Sequence, residues 1–274
     1  MLPGTYDGMT NEEYHADADT ISKSGLSRLY DNPARFRFGE QKRTTALAFG
    51  QLVHAAVLEP DTLAARFYAS GLDRFNEKDG KYKDELVRAS GRTLVKQADY
   101  DLALRMRDAV HTHAVARAFL TPDLIVERTL CWDDPGTGVR LRARPDGIAR
   151  QQSVIVDLKT CEDAGEVAFA KSVHDYRYHW QTVIYSDGTH HTEGWRPEAF
   201  IFLAVEKEPP YLTATYELIP EATDLARLQI DDALSAYAAC LASNEWPGHG
   251  PGLIRLDLPS YAYRNFNDRK GSRK

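Results

Sequence analysis

Two carboxylates and one ammonium fall close together in the stretch Arg144 to Lys159, RPDGIARQQSVIVDLK. Its second half, Ser153 to Lys159, alternates like a strand, and side chains two apart on a strand share a face. Asp157 and Lys159 then point one way with Ile155 beneath them, while Val154, Val156 and Leu158 point the other. The run before it alternates as well, with Val139, Leu141 and Ala143 on one side and Arg140, Arg142, Arg144 and Asp146 on the other. A hairpin turning over Ala149 to Ser153 brings Asp146 beside Asp157. Carboxylates that close repel unless a proton or a cation sits between them. Hard oxygen ligands beside one ammonium suit Mg²⁺, which keeps waters and contacts phosphate oxygens. The bland alternative is a solvated hairpin with a surface ion pair worth little.

Other residues could join this chemistry. His54 lies in the helical run Thr44 to Leu58, where Leu47, Leu52, Val53, Ala56 and Val57 recur at helical spacing. By spacing alone it reads as a structural, hydrogen-bonded histidine, with a ligand role as the sharper alternative. Gly50, one turn earlier, costs a helix about 1 kcal/mol and predicts close packing at that point. In Tyr176 to Ser186, YRYHWQTVIYS, Gln181 and Tyr185 are one helical turn apart and share a face. They are either polar tips on a packed face or a pair aimed at a backbone phosphate or at Lys159. Ser22 and Ser24 open the helical stretch Ser22 to Tyr30, as N-caps or as hydroxyls of a phosphate site. Glu127 lies on the strand before the hairpin, either solvated or facing the carboxylates.

The elements that position these residues can be read in order. Asn11 to His15 is a helical turn; Asn32-Pro33 ends the next helix, and Pro33 opens Ala34 to Phe38. Phe67 to Ala69 reads as a short strand, Asp73 to Lys83 as a charged loop, and Lys96 to Leu120 as one long helix with Leu102, Leu104, Met106, Val110 and Val115 inward. Ile125 to Trp132, Val139 to Ile148 and Ser153 to Lys159 form an antiparallel meander around the turn Asp133 to Gly136. Helices follow over Ala164 to Val173 and Tyr176 to Ser186. The strand Ala199 to Val205 is nearly all apolar, as a central strand should be, and Leu212 to Leu218 pairs beside it. Pro220 to Ala242 is an amphipathic helix with Leu225, Leu228, Ile230, Leu234 and Tyr237 inward. The expected fold is α/β (α+β), a mixed central sheet flanked by helices. One domain is expected over 1–260, and a basic, flexible tail over 261–274.

Composition bounds the function. The chain has 274 residues, 43% hydrophobic and 27% charged, which is ordinary for a globular protein. No apolar run reaches membrane-spanning length, and the N-terminus lacks the basic and apolar regions of a secretory signal. Cys131, Cys161 and Cys240 are odd in number and far apart, which fits a reducing compartment, here the cytoplasm. No CxxC pair is present for structural zinc. A net charge of −6 excludes a protein coated in positive charge, but not a narrow basic channel.

With the chain laid out, the sequence resembles the nuclease domain of RecE, the exodeoxyribonuclease VIII group of phage and prophage recombination exonucleases in the PD-(D/E)xK superfamily. The resemblance runs from about Tyr14 to Trp246 and rests on ordered motifs: ISKSGL with NPARF, LAFGQLVHAAVLEP around His54, the WDDPGTG turn, RPD with VDLKT, and DYRYHWQTVIYSDG. It implies a restriction-endonuclease-like core. By the same resemblance His54, Asp146 and Asp157 would be metal ligands, joined by the Leu158 carbonyl. Lys159 would orient or deprotonate the attacking water, and Gln181 and Tyr185 would support the site and contact the substrate backbone. Ser22 and Ser24 would lie near the DNA entrance. The cofactor would be Mg²⁺, with Mn²⁺ able to substitute. Family substrates are double-stranded DNA ends, degraded 5′ to 3′ to leave a 3′ overhang in a bacterial or phage-infected cell. The partner would be a RecT-like single-strand annealing protein, and the assembly a ring-like homo-oligomer such as a tetramer. Related nucleases bind an iron–sulfur cluster through four cysteines, one of them in a CPxxF-like segment. Here that position is Asn32, so no cluster is expected. RecE carries a long extra N-terminal region, and this chain looks like the catalytic domain alone.

An enzyme that moves along DNA needs phosphate contacts more than base contacts. Arg28, Arg35, Arg37, Lys42, Arg43, Arg142 and Arg144 are the candidates. Two other functions compete: an endonuclease of the same superfamily, and a catalytically silent DNA-end-binding module. The presence of Asp146, Asp157 and Lys159 together argues against the second.

Overall fold

The structure, a computed structural model, describes residues 1–40, 45–250, 252–261 and 263. Its centre is a five-stranded mixed sheet in the order Thr213–Tyr216, Ala199–Glu206, Val154–Cys161, Gly147–Ala149, Ile125–Val126. Val154–Cys161 runs parallel to Ala199–Glu206 and antiparallel to Gly147–Ala149. The two parallel strands are joined by a crossover through helices Glu166–Asp175 and His179–Glu193. A four-stranded sheet holds Gly4–Tyr6, Thr129–Asp133, Arg140–Ala143 and Ile21–Ser22. This is the mixed α/β arrangement expected from the sequence.

Alternation along Val154–Cys161 gives the central sheet two apolar faces. Val154, Val156 and Leu158 pack with Leu52, Val53, Val57 and Met106 of helices Thr45–Leu58 and Gln97–Thr112. Ile155 turns the other way, onto Phe169, Phe200 and Phe202. A second core joins Leu130, Trp132 and Leu141 of the four-stranded sheet to Leu26, Leu29, Trp180, Ile184 and Ile230. Gly188 of helix His179–Glu193 permits this packing, because a Cβ there would stand 2.7 Å from the Trp132 ring.

The structure corrects the sequence reading at several points. Ile125 to Trp132 is two strands, Ile125–Val126 and Thr129–Asp133, in different sheets. Val139 to Ile148 likewise divides into Arg140–Ala143 and Gly147–Ala149. The meander therefore bends from one sheet into the other at a seam. Glu127 turns there with φ +50°, and Pro145, which has no N–H for a ladder, interrupts the second strand. Lys96 to Leu120 breaks at His113, which ends Gln97–Thr112 and caps Ala114–Phe119. Part of the predicted loop Asp73 to Lys83 is helix Gly80–Ala89, capped by Asp79. The helix expected from Tyr176 begins at His179.

Three side chains expected in the core face solvent, and one glycine faces open space. Val115, Leu225 and Leu228 are exposed; Ala226, Ile230, Ala233 and Leu234 carry the buried face of Pro220–Ser243 instead. A Cβ on Gly50 would meet no neighbour within 4 Å, so close packing does not explain that glycine. Lys42, Arg43 and residues 264–274 lie outside the described residues. No helix among the described residues is long and apolar enough to cross a membrane.

Candidate active site

The ladder between Gly147–Ala149 and Val154–Cys161 ends at the pair Gly147 and Val156. The next residues, Asp146 and Asp157, stand where the strands part. The Leu158 N–H has no strand partner beyond this point, and it donates to Asp146 Oδ2 at 2.7 Å. Asp157 is fully buried. Its Oδ1 accepts from Gln181 Nε2 at 3.0 Å, and its Oδ2 meets the Lys159 ammonium as an ion pair. The same Gln181 Nε2 donates to the Tyr185 hydroxyl at 3.0 Å, while Gln181 Oε1 is buried with no hydrogen-bond partner. His54 reaches in from helix Thr45–Leu58, with Nδ1 3.5 Å from Asp146 Oδ1. The juxtaposition inferred from strand alternation is therefore present, with the histidine and the Gln181–Tyr185 pair beside it.

Burial sets the charges here. Desolvation raises the pKa of both Asp146 and Asp157 to about 6, against the pull of the Lys159 charge. Desolvation and the Lys159 charge lower that of His54, more than the carboxylates and the Leu158 carbonyl raise it, so its imidazole is neutral at neutral pH. Burial works against the Lys159 ammonium, but Asp157 and Asp146 outweigh it and hold its pKa above the ordinary lysine value. Burial also keeps Tyr185 a neutral phenol, with its pKa well above normal. The result is two half-compensated carboxylates, a neutral imidazole and one firm cation.

A family model described as a PDDEXK-like domain of unknown function (DUF3799) matches residues 34–253. This chain belongs to that PDDEXK-like family. Its fold is also that of a solved structure. A crystallised candidate exonuclease from Eubacterium rectale superposes with a TM-score of 0.61 at 13% identity, covering 93% of this chain and 97% of the other. A phage-related exonuclease from Haemophilus somnus gives 0.35 at 11% identity, covering 82% and 96%. An alkaline exonuclease from Laribacter hongkongensis gives 0.33 at 14% identity, covering 86% and 97%. A comparison with curated proteins finds no match.

PD-(D/E)xK nucleases generally use divalent metals. Among the described residues, no three His, Cys, Asp or Glu side chains converge closely enough to hold an ion unaided. The fit of this PDDEXK-like site rests on donor chemistry. It offers the buried Asp157 carboxylate and the partly buried Asp146 carboxylate, beside a neutral imidazole and the Leu158 backbone. Such hard oxygen and imidazole donors suit Mg²⁺ or Mn²⁺.

The remaining predicted residues divide. Glu127 sits at the seam, where its backbone N–H donates to the Asp146 carbonyl at 3.3 Å and its carboxylate lies 3.9 Å from Arg66. It also lines a cleft of about 600 Å³ with Asn11, Ala48 and Gln51. Ser22, not Ser24, is the N-cap of Lys23–Asp31, accepting from the Gly25 N–H at 3.3 Å; the two hydroxyls are 3.0 Å apart. Arg35 is exposed. Arg142 is not available to DNA: it is buried, and its Nη1 donates to the Asp17 and Thr20 carbonyls and the Thr20 hydroxyl. Arg144 is committed as well, to Thr129 and Asn11 over the Tyr14 ring. Their alternation with apolar residues gave no sign of this, because Asp17, Thr20 and Asn11 come from the N-terminal segment, more than 120 residues away. Lys23 and Tyr178 also stand at the site, though neither belongs to the metal-ligand and Gln181–Tyr185 set. Lys159 Nζ lies 4.6 Å from the Tyr178 ring centroid, and Lys23 Nζ lies 5.8 Å from it. The only available signal was a lysine set between two serines in ISKSGL.

Proposed function

We propose that this chain is a metal-dependent exodeoxyribonuclease. It would degrade linear double-stranded DNA 5′ to 3′ and leave 3′ single-stranded overhangs for recombination by strand annealing. The observation that carries the nuclease reading is the meeting of Asp146, Asp157 and Lys159 at the parting of two strands, with His54 and Gln181 against them. Polarity, the RecT-like annealing partner and a ring-like homo-oligomer rest on the resemblance to RecE.

Hydrolysis of a phosphodiester adds negative charge to the nonbridging oxygens and to the leaving oxygen. Bound by Asp146, Asp157, the Leu158 carbonyl and His54, Mg²⁺ or Mn²⁺ would offset that charge and acidify a water. The chain's own residues do the rest. Lys159, kept protonated by Asp157, places a positive charge beside the attacking water and the phosphate. In that state it orients the water rather than deprotonating it. Gln181 fixes the rotamer of Asp157, and Tyr185 receives the other Gln181 N–H. A neutral His54 keeps a free nitrogen lone pair for a ligand.

Linear duplex DNA labelled at the 5′ or the 3′ end tests this reading, with Mg²⁺ and then with EDTA. Early release of the 5′ label as mononucleotide, only with metal, is the expected result. Early release of the 3′ label would overturn the polarity and keep the centre. Cleavage of circular duplex would replace the exonuclease with an endonuclease, and DNA bound but never cut would leave an end-binding module.

A further inference from the structure

Beside the catalytic cluster, a cavity of about 230 Å³ is lined by Lys159, Ser172, Tyr176, Tyr178 and Lys207, among others. Of the residues assigned a role in the hydrolytic centre, it is lined by Lys159. Tyr176 is 63% exposed at its edge, and its ring stacks on Tyr178 at 5.5 Å with an interplanar angle of 25°. Tyr178 in turn lies within 6 Å of both the Lys159 and the Lys23 ammonium. An aromatic ladder thus runs from the catalytic lysine to solvent.

The cations at this ladder differ. Lys159 is paired with Asp157, and Lys207 with Glu162 at 2.7 Å. Lys23 is half-buried beside another ammonium and, among the described residues, makes no ion pair with a carboxylate. Its Nζ donates to the Tyr176 carbonyl at 2.5 Å, the C-terminal end of helix Glu166–Asp175. Burial and the Lys159 charge bring its pKa down to about 7. A cation this desolvated gains from an anion that the protein itself does not supply.

The turn carrying the rings is held in place. Arg177 takes φ +52°, left-handed for a non-glycine residue. Its guanidinium donates to Ser27 and Asp31 and lies over the Tyr30 and Trp180 rings. Those contacts fix the Tyr176-Arg177-Tyr178 turn against helix Lys23–Asp31.

The geometry points to a nucleotide subsite here: Lys23 takes the backbone phosphate next to the scissile one, and Tyr176 stacks the base attached to it. This inference rests on the nuclease reading of the centre. Stacking of a base on an aromatic ring tolerates any sequence, as an exonuclease requires.

The test uses the full chain with duplex DNA carrying 2-aminopurine at one of its terminal three nucleotides, bound in EDTA so that nothing is cut. Wild type should quench the probe at one position. Tyr176→Ala should lose that quenching and bind about tenfold more weakly, and Tyr176→Phe should keep both. Lys23→Gln should weaken binding and lower the slope of log affinity against log salt by about one, with Lys23→Arg restoring it. A merely structural role for either residue would not move the probe signal or the salt slope. If wild type cleaves DNA while Tyr176→Ala and Lys23→Gln quench and bind as it does, the subsite is wrong and the nuclease reading stands. If wild type cleaves nothing with any divalent metal, it is the nuclease reading that fails.

Discussion

Replacing Asp146 with Asn should stabilise the metal-free protein while ending cleavage. Burial lifts the Asp146 pKa from 3.8 to about 6, roughly two pH units, and each unit corresponds to about 1.4 kcal/mol. Keeping this carboxylate ionised in the folded chain therefore costs about 3 kcal/mol at a pH well above 6. Asparagine retains an oxygen for the Leu158 N–H and removes the charge. Part of the gain is lost, because Asp146 also helps to hold the Lys159 charge. A net gain of about 1–2 kcal/mol is expected, a Tm rise of roughly 2–8 °C for a chain of this size. The sign with pH follows from a folded pKa above the unfolded one. The protonated carboxyl is favoured in the fold, so this group's contribution is fully present below 3.8 and is lost as pH rises through about 6. The variant's advantage should be largest near pH 8, shrink by pH 5 and vanish near pH 4. Scanning calorimetry in EDTA at those values measures it. Adding Mg²⁺ or Mn²⁺ should then raise the Tm of wild type but not of the variant, since only a ligand that binds the folded state stabilises it. Equal or lower stability of Asp146→Asn near pH 8 in EDTA would refute the argument that burial strains this carboxylate.

Three other substitutions separate catalytic from structural roles. Gln181→Ala should cut the cleavage rate by roughly ten- to a hundredfold at a stability cost of about 1–3 kcal/mol, since the buried Asp157 Oδ1 loses its donor and Tyr185 loses a partner, as single-turnover kinetics and urea unfolding would show. Arg142→Ala should cost about 2–4 kcal/mol by leaving buried carbonyls unpaired, with the salt dependence of DNA binding unchanged; a smaller slope would restore Arg142 as a phosphate contact. Gly188→Ala should destabilise by about 1–3 kcal/mol, since the new methyl meets the Trp132 ring, and a rise in Tm would show that the ring can yield.

The centre of this fold was legible from short-range pattern. Period-two alternation placed Asp157 and Lys159 on one face, and the turn at 149–153 put Asp146 opposite. Helical spacing paired Gln181 with Tyr185. What stayed hidden depends on distant partners. Nothing local to Glu127 marks its left-handed backbone, and Pro145 read as part of a motif rather than as the place where a strand leaves its sheet. Arg142 and Arg144 looked like an outward basic face until Asp17, Thr20 and Asn11 came in from the N-terminal segment. Leu225 and Leu228 matched a helical stripe, yet the small residues Ala226 and Ala233 face the core, where the neighbouring helix lies close. His54 shows the limit in the other direction: helical spacing favoured a structural role, and only the seam of the two sheets brings it against Asp146.

Cleavage by Lys159→Ala, compared with wild type at equal DNA occupancy, bears most directly on the centre. Wild type should degrade linear duplex with Mg²⁺, and the variant should bind the same DNA in EDTA while releasing no nucleotide. Nucleotide release by Lys159→Ala at the wild-type rate would contradict the assignment of Asp146, Asp157 and Lys159 as the hydrolytic centre.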